Sequence, residues 1–583
     1  MRNLINLLLI LFLPHFTLAQ PISLQPEKPG IDEQVTLTYF TDRGNKELTD
    51  YAGDIYAHTG LITSESTHPG DWKQVVSGWG ENRPELKLKK VSDKRYELTF
   101  SLKGLYGVQR MEDIFALAFV FRNEDGSKVG KTKEGSDIYH YFKEPQFMTP
   151  PEILDVSVVK QPDWAKTATI YEVNIRQYTP EGTFEAFEKH LPRLQELGVD
   201  ILWFMPIQPI GKKKRKGTLG SYYSIQDYTD VNPEFGSLEE FRQLVKKCHE
   251  MGFHVVLDWV ANHTAWDHPW IEKHPDWYTR NEEGEIIYPA DWTDVADLNY
   301  DKPEMRKAMI EAMRFWLREV DIDGFRCDVA GLVPLDFWET ARPELDKEKE
   351  IWMIAEDESQ YFLLNKAFNA HYASSFHHVM NDIAKGTKKA SDILKWYNTK
   401  KELYPAGSYA MHFITNHDEN SWNGTVFERL GDAHQTFALV SYLMPGMPLI
   451  YSGQEAGLDK RLKFFEKDPI DWSDTSLFPF YQTLNQLKAE NPALWNGIAG
   501  GDLIEIQNDQ PDSALSFARR KGGNKVILIA NLSPEKRTIM TQMDEVQGRY
   551  QEVFSGEIKN LKSRVNFELP PWGYELWVMK SRG

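Results

Sequence analysis

The stretch that decides the fold runs Ile201-Leu202-Trp203-Phe204-Met205, then a helical segment over Leu238–Met251, then Val255-Val256-Leu257-Asp258. An apolar run, a helix and a second apolar run make one βα unit of a parallel sheet, because parallel strands need a crossover and are buried on both faces. The same alternation extends in both directions. Upstream, Ile170–Ile175 reads as a strand and Thr183–Leu197 as a helix; downstream, Gly324–Asp328, Ile351–Glu356, Ala410–Thr415 and Pro448–Tyr451 read as strands. About eight such units over roughly 320 residues fit an α/β fold of the (β/α)8 (TIM) barrel type better than an open sheet. The interval from Asp258 to Asp328 is more than twice the ~30 residues of a bare βα repeat. An insertion after the third strand is therefore expected at residues 264–300, inside a barrel covering residues 165–490.

The flanks read differently. Residues 20–150 carry short alternating segments such as Val35-Thr36-Leu37-Thr38-Tyr39 and Arg95-Tyr96-Glu97-Leu98-Thr99-Phe100 between Gly, Asp and Asn, the pattern of an all-β sandwich. Residues 151–164 are Pro-containing and read as a linker. Over residues 491–583 the β signals return at Ala514–Ala518, Val526–Ala530, Tyr550–Phe554 and Tyr574–Val578, predicting a second all-β sandwich domain. Residues 1–19 combine Arg2, the apolar run Leu7–Leu13 and the small residues Thr17 and Ala19, the composition of a secretory signal peptide. The expectation is an exported protein, periplasmic or secreted, with no integral membrane segment after cleavage. Only Cys248 and Cys327 occur, which excludes a disulfide framework and makes both read as small buried hydrophobes.

Charge narrows the partners. With 67 Lys+Arg against 86 Asp+Glu the net charge is −19, a field that repels nucleic-acid phosphates and anionic lipid while leaving a neutral ligand indifferent. The one basic run, Lys212-Lys213-Lys214-Arg215-Lys216, reads as a solvated loop or surface contact rather than a nucleic-acid patch. The 18 Trp, 25 Tyr and 31 Phe suit core packing and stacking on sugar rings alike. Trp72 and Trp79 in the N-terminal module read as core or interdomain contacts ahead of a sugar platform.

A (β/α)8 barrel builds its site at the C-terminal ends of its strands, and four such ends are polar here. Asp258 closes the third strand and is followed by Asn262 and His263. In Gly324-Phe325-Arg326-Cys327-Asp328, alternation puts Arg326 and Asp328 on one side and Cys327 on the other. Glu356 ends Trp352-Met353-Ile354-Ala355-Glu356, and Asn416-His417-Asp418 follows an apolar strand at Phe413–Thr415. A single Asp at a strand end is usually a cap or loop hydrogen-bonder. The joint occurrence of Asp328, Glu356 and Asp418 beside Arg326 instead fits glycoside hydrolysis, in which one carboxylate attacks and a protonated carboxyl serves the leaving oxygen.

With those residues in place, the chain resembles the α-amylase family, glycoside hydrolase family 13. The blocks Asp258–His263, Gly324–Asp328, Glu356 and Thr415–Asp418 occur in order; Gly220–Tyr228 running into Asn232–Gly236, and Tyr451–Glu455, add to the resemblance. It implies that Asp328 is the nucleophile, Glu356 the general acid/base and Asp418 the transition-state stabiliser. It further implies that Arg326 holds the nucleophile, that His263 and His417 bind sugar hydroxyls, and that Tyr223 stacks on the ring at the cleavage subsite. The chemistry needs no redox or organic cofactor; a structural calcium with Asn262 and Asp297 among its oxygen ligands is part of the implication. One departure stands out: a Lys-His pair common after the nucleophile is replaced by Gly331 and Leu332. The expected activity is retaining cleavage of α-1,4-glucosidic bonds in starch, maltodextrin or a related α-glucan. A glucanotransferase or a cyclodextrin- or pullulan-degrading enzyme is the alternative on the same scaffold. Two readings from other classes are a catalytically silent glycan-binding protein and a divalent-metal hydrolase using Asp258, His263, His417 and Asp418.

Overall fold

A Cβ placed on Gly324 would lie 1.7 Å from the Trp352 carbonyl oxygen, so only glycine lets the two strands that carry Arg326 and Glu356 run side by side. In the computed structural model, which describes residues 21–63, 66, 70, 72–132, 137–143 and 158–579, these strands belong to a closed eight-stranded barrel. Its strands are β1 (Ile170–Val173), β2 (Ile201–Phe204), β3 (His254–Trp259), β4 (Gly324–Cys327), β5 (Trp352–Ala355), β6 (Ala370–Tyr372), β7 (Tyr409–His412) and β8 (Met447–Tyr451). All neighbours pair in parallel and β8 closes onto β1.

Alternation along each strand separates two cores. Ile170, Ile201, Trp203, Val256, Ile354 and Met411 pack together as one core. Val173, Leu202, Phe204, Leu257, Phe325 and Met353 pack in a second with the surrounding helices. The parity of the first set places Glu172, Asp258 and Arg326 within the barrel, and all three have no exposed surface. Helix Leu238–Glu250 shows the sequence logic of the outer layer. Ser237 and Glu240 form a capping box at its start, and Phe241, Leu244, Val245 and Cys248 make its buried stripe. Both cysteines are buried and unpaired.

The insertion after β3 is a small subdomain on a two-stranded antiparallel sheet, His263–Ala265 with Val295–Asp297. Other segments depart from expectation. The helix expected over Thr183–Leu197 is two helices, Phe184–Glu188 and Leu191–Leu197, the second with Pro192 in its first turn, where a missing N–H costs nothing. The strand before Asn416 is Tyr409–His412 rather than Phe413–Thr415, and Asp418 immediately precedes a short π-helical turn, Glu419–Asn423, without a side-chain capping bond.

The chain divides into two compact units, 1–154 and 155–583. In the first, a four-stranded sheet containing Gln34–Phe40 and Arg95–Ser101 faces one built on Tyr56–Thr63 and Ile114–Arg122, over a core that includes Val35, Leu37, Leu61, Phe100, Leu117 and Phe119. Trp72 is half-buried, its indole N–H reaching the Tyr139 hydroxyl at 3.4 Å, whereas Trp79 is 54% exposed and so is not a core residue. In the second unit, a six-stranded and a three-stranded antiparallel sheet follow the barrel. The barrel core runs on into this sandwich through Leu515, Phe517, Leu528 and Leu576. The signal-peptide reading, and residues 151–157 of the linker, lie outside the described residues. Among the described residues no helix is long and apolar enough to cross a membrane.

Candidate active site

Arg326 organises the site. From the middle of β4 its Nη1 donates to Asp258 Oδ1 at 2.9 Å and to Asp328 Oδ1 at 3.0 Å, its Nη2 pairs with Glu356 Oε1 at 2.8 Å, and its Nε donates to the Tyr372 hydroxyl at 3.0 Å. One fully buried guanidinium thus gathers three carboxyls from the ends of β3, β4 and β5, of which Asp328 and Glu356 line the cleft. The register explains this: Asp258 pairs with Arg326 across β3 and β4, and Arg326 with Ile354 across β4 and β5. Burial alone would weaken the cation, but Asp258 and Glu356 outweigh it and Arg326 stays charged.

Asp258 is an anchor. Its Oδ2 accepts from the Trp203 indole at 3.2 Å and from the Tyr223 hydroxyl at 3.1 Å, so both oxygens are occupied and the carboxyl is poorly placed as a metal ligand. The Tyr223 hydroxyl lies 2.7 Å from His417 Nε2, and His417 Nδ1 lies 2.5 Å from Glu172 Oε1. Asp418 Oδ2 sits 3.3 Å from the same Nε2. Burial would lower the His417 pKa, yet Asp418 and Glu172 raise it to about 9, so the imidazolium donates on both sides.

Five carboxyls (Glu172, Asp258, Asp328, Glu356 and Asp418) surround two cations, Arg326 and His417, so the site cannot hold every carboxyl ionised without penalty. Burial pushes Glu356 furthest, to about 8, with Arg326 opposing and Asp328 and Asp418 adding to it; burial raises Asp328 to about 6, again against Arg326. At neutral pH this leaves Glu356 protonated and Asp328 ionised, a division set by environment rather than residue type. The Val329 N–H donates to Glu356 Oε2 at 2.7 Å, from a backbone at φ +37° that a β-branched residue rarely adopts.

Asp328, Glu356, Asp418, Tyr223, His263 and His417 all line one cleft of about 430 Å³. Tyr223 presents its ring, near-parallel to His417 and Phe464. Burial lowers the His263 pKa to about 4. Its Nδ1 lies 3.3 Å from the Asn262 side-chain amide, which donates to it and so leaves the proton on Nε2. Trp292, Trp422, Phe464, Phe465, Lys216 and Asp294 are among the other wall residues. None of these six was singled out as a site residue in the sequence, nor was Glu172, a lone polar residue inside a strand. A larger hollow of about 970 Å³, lined by residues such as Trp396, Tyr404 and Arg520, contains none of these carboxyls.

Asn262 and Asp297 fall off the cleft wall. Asp297 pairs with His263 across the small sheet, and the Leu298 N–H donates to the Asn262 carbonyl at 3.1 Å. Asp297 has no ion pair among the described residues, and burial raises its pKa to about 6. A half-buried carboxyl without an ion pair, on the strand next to the segment that carries Asn262, is an oxygen donor of the kind a hard cation takes. Among the described residues there is no group of three His, Cys, Asp or Glu side chains that could hold a metal, so backbone carbonyls and water would make up the remaining oxygens. At Gly331, where the sequence departs from the resemblance, a Cβ would lie 2.2 Å from Asp357 Oδ2, the end of a side chain that would have to swing aside, and Gln360 Nε2 donates to the Gly331 carbonyl at 2.7 Å.

A (β/α)8 barrel with an ionised and a protonated carboxyl held by one guanidinium at adjacent strand ends has the form of a glycoside hydrolase. The family model for the α-amylase catalytic domain matches residues 118–292 and 273–476, and that for the α-amylase C-terminal all-β domain matches 505–569. The chain belongs to the α-amylase family, glycoside hydrolase family 13. It is 26% identical over 398 residues to α-amylase MalA of Haloarcula japonica, covering 65% of this chain and 57% of that protein's length. To neopullulanase 2 of Thermoactinomyces vulgaris it is 25% identical over 558 residues, 84% of this chain and 87% of that one. The crystal structure of the noncanonic maltogenic α-amylase AmyB from Thermotoga neapolitana superposes with a TM-score of 0.66 at 31% identity, over 72% of this chain and all of that one.

Proposed function

We propose that the protein is a retaining hydrolase of α-1,4-glucosidic bonds in starch, maltodextrin or related α-glucans. The observation that carries this reading is that Arg326 holds Asp328 and Glu356 together on one cleft; burial raises both carboxyls, Glu356 to about 8 and Asp328 only to about 6, which favours the proton on Glu356. Glu356 gives its proton to the glycosidic oxygen as an Asp328 oxygen bonds to C1, releasing the aglycone and forming a glycosyl-enzyme. Glu356, now a carboxylate, takes a proton from water; the water oxygen bonds to C1 and Asp328 leaves, so two inversions return the α configuration. Asp418 lies on the cleft wall, where a carboxylate stabilises the oxocarbenium-like transition state. His263 supplies an N–H donor to a sugar hydroxyl; His417, whose N–H groups are taken by Tyr223 and Glu172, holds the Tyr223 hydroxyl and faces Asp418, and Tyr223 supplies a ring face.

The test is the pH dependence of kcat/KM on maltotriose. A bell is expected, rising through about 6 as Asp328 ionises and falling through about 8 as Glu356 loses its proton. Glu356→Gln removes the falling limb on an aryl α-maltoside whose leaving group needs no acid; a falling limb that survives the substitution contradicts the assignment. The likeness to a neopullulanase supports the cyclodextrin- or pullulan-degrading alternative on the same machinery, and products from starch, pullulan, cyclodextrin and maltotriose separate the two. The silent-binder reading is weakened because all three carboxyls keep their partners.

We also propose that a calcium ion held by Asn262 and Asp297 ties the inserted subdomain to the barrel, with no part in the chemistry. Chelation is expected to lower the melting temperature, and added calcium to restore it. An unchanged melt removes calcium from the account.

A further inference from the structure

The basic run at 212–216 keeps Lys212, Lys213 and Lys214 exposed, and its surface contacts strap the loop after β2 to the inserted subdomain. Arg215 donates to the carbonyls of Gly211 at 2.8 Å and Ile210 at 2.9 Å, fixing the turn. The Lys212 N–H donates to Asp267 Oδ2 at 2.8 Å, and the Lys214 ammonium lies 3.5 Å from the centre of the Trp266 ring. At the end of the run Lys216 Nζ meets Asp294 Oδ1 at 2.9 Å. The Asp294 side chain is only 5% exposed, and both partners line the catalytic cleft. On the far side the same loop is pinned by Glu466, which accepts from the Thr218 N–H at 2.9 Å.

We infer that the Lys216–Asp294 pair is a crossbar between two walls of the cleft, making it blind beside Tyr223, so that the protein takes α-glucan chain ends and short maltodextrins rather than internal segments of a polymer. This rests on the α-glucan reading above. An internal segment must leave a cleft at both ends, whereas an ion pair joining the β2 loop to the insertion shuts one exit. The aromatic residues Trp422, Phe464 and Phe465 line the same cleft and give the chain apolar faces on which to lie.

Two measurements on the full-length protein test this. Early in a reaction on amylose the wild type is expected to release one short product size, with little loss of viscosity for each reducing end formed. In Lys216→Ala that ratio is expected to rise several-fold as internal cleavage begins. Because this variant leaves Asp294 buried without a partner, Lys216→Ala/Asp294→Asn removes the bar without an unpaired charge and is expected to show the same rise. A wild type that produces a random ladder of fragments from the start overturns the crossbar, as does an unchanged ratio in a folded, active double variant. Absence of hydrolysis on amylose and maltotriose by the wild type would instead strike at the α-glucan reading.

Discussion

Asp328→Asn is expected to lower turnover on soluble starch by about ten-thousand-fold or more, the scale seen when a covalent nucleophile is removed. The amide matches the carboxylate in size but does not form the bond to C1. Arg326 retains Asp258 and Glu356 as partners, so the fold should survive. Stability should in fact rise. The pKa of Asp328 is raised on folding, so its favourable contribution is present below about pH 4, the ordinary value for Asp, and is lost as pH rises through about 6. At pH 7 the wild type therefore bears a penalty that asparagine does not. A thermal melt at pH 7 checks this: an equal or higher melting temperature together with lost turnover is expected, and unchanged turnover would sink the assignment.

Arg326→Met should be the most damaging substitution for the fold. It leaves Asp258, Asp328 and Glu356 facing one another without their shared cation, and stranding buried charges in this way costs about 3–5 kcal/mol. The variant is expected to be unstable at pH 7 and to recover toward acid pH as the carboxyls take up protons, the reverse of an ordinary acid denaturation. Arg326→Lys keeps a charge but offers one compact ammonium where a planar fork reaches three carboxyls. It should fold, with kcat on maltotriose lowered about a hundredfold or more, the loss that follows when reacting groups are misplaced by an ångström. Full activity in Arg326→Lys would show that the three-way clamp does not set the geometry.

Much of this site could be read from the sequence because parity and strand ends are local. Arg326 and Asp328 are two residues apart, and their common contact follows from alternation alone. Residues whose role depends on barrel closure were harder to see. Glu172 reads as one polar residue inside Ile170–Val173, and its meaning appears only when β1 comes beside β8 and His417 reaches over it. The sixth strand, Ala370–Tyr372, is three residues long and carries His371, too short for a period to show, although Tyr372 supplies an oxygen to Arg326. Lys216 illustrates a different limit: a run of lysines reads as surface, and what draws it to the cleft is Asp294, on an insertion whose fold had no signature. The aromatic walls Trp292, Trp422 and Phe464 were hidden among many other aromatics with similar neighbours.

The central claim is that Asp328 forms a covalent bond to the sugar. It is tested most directly by treating Glu356→Gln with α-maltosyl fluoride and locating the adduct by peptide mass spectrometry. Fluoride leaves without an acid, so the first step proceeds, while the missing base slows the second and the glycosyl-enzyme accumulates. A maltosyl adduct on the peptide containing Asp328, at Asp328 itself, is the predicted result. Turnover of the fluoride with no adduct, or an adduct on another residue, would contradict the account.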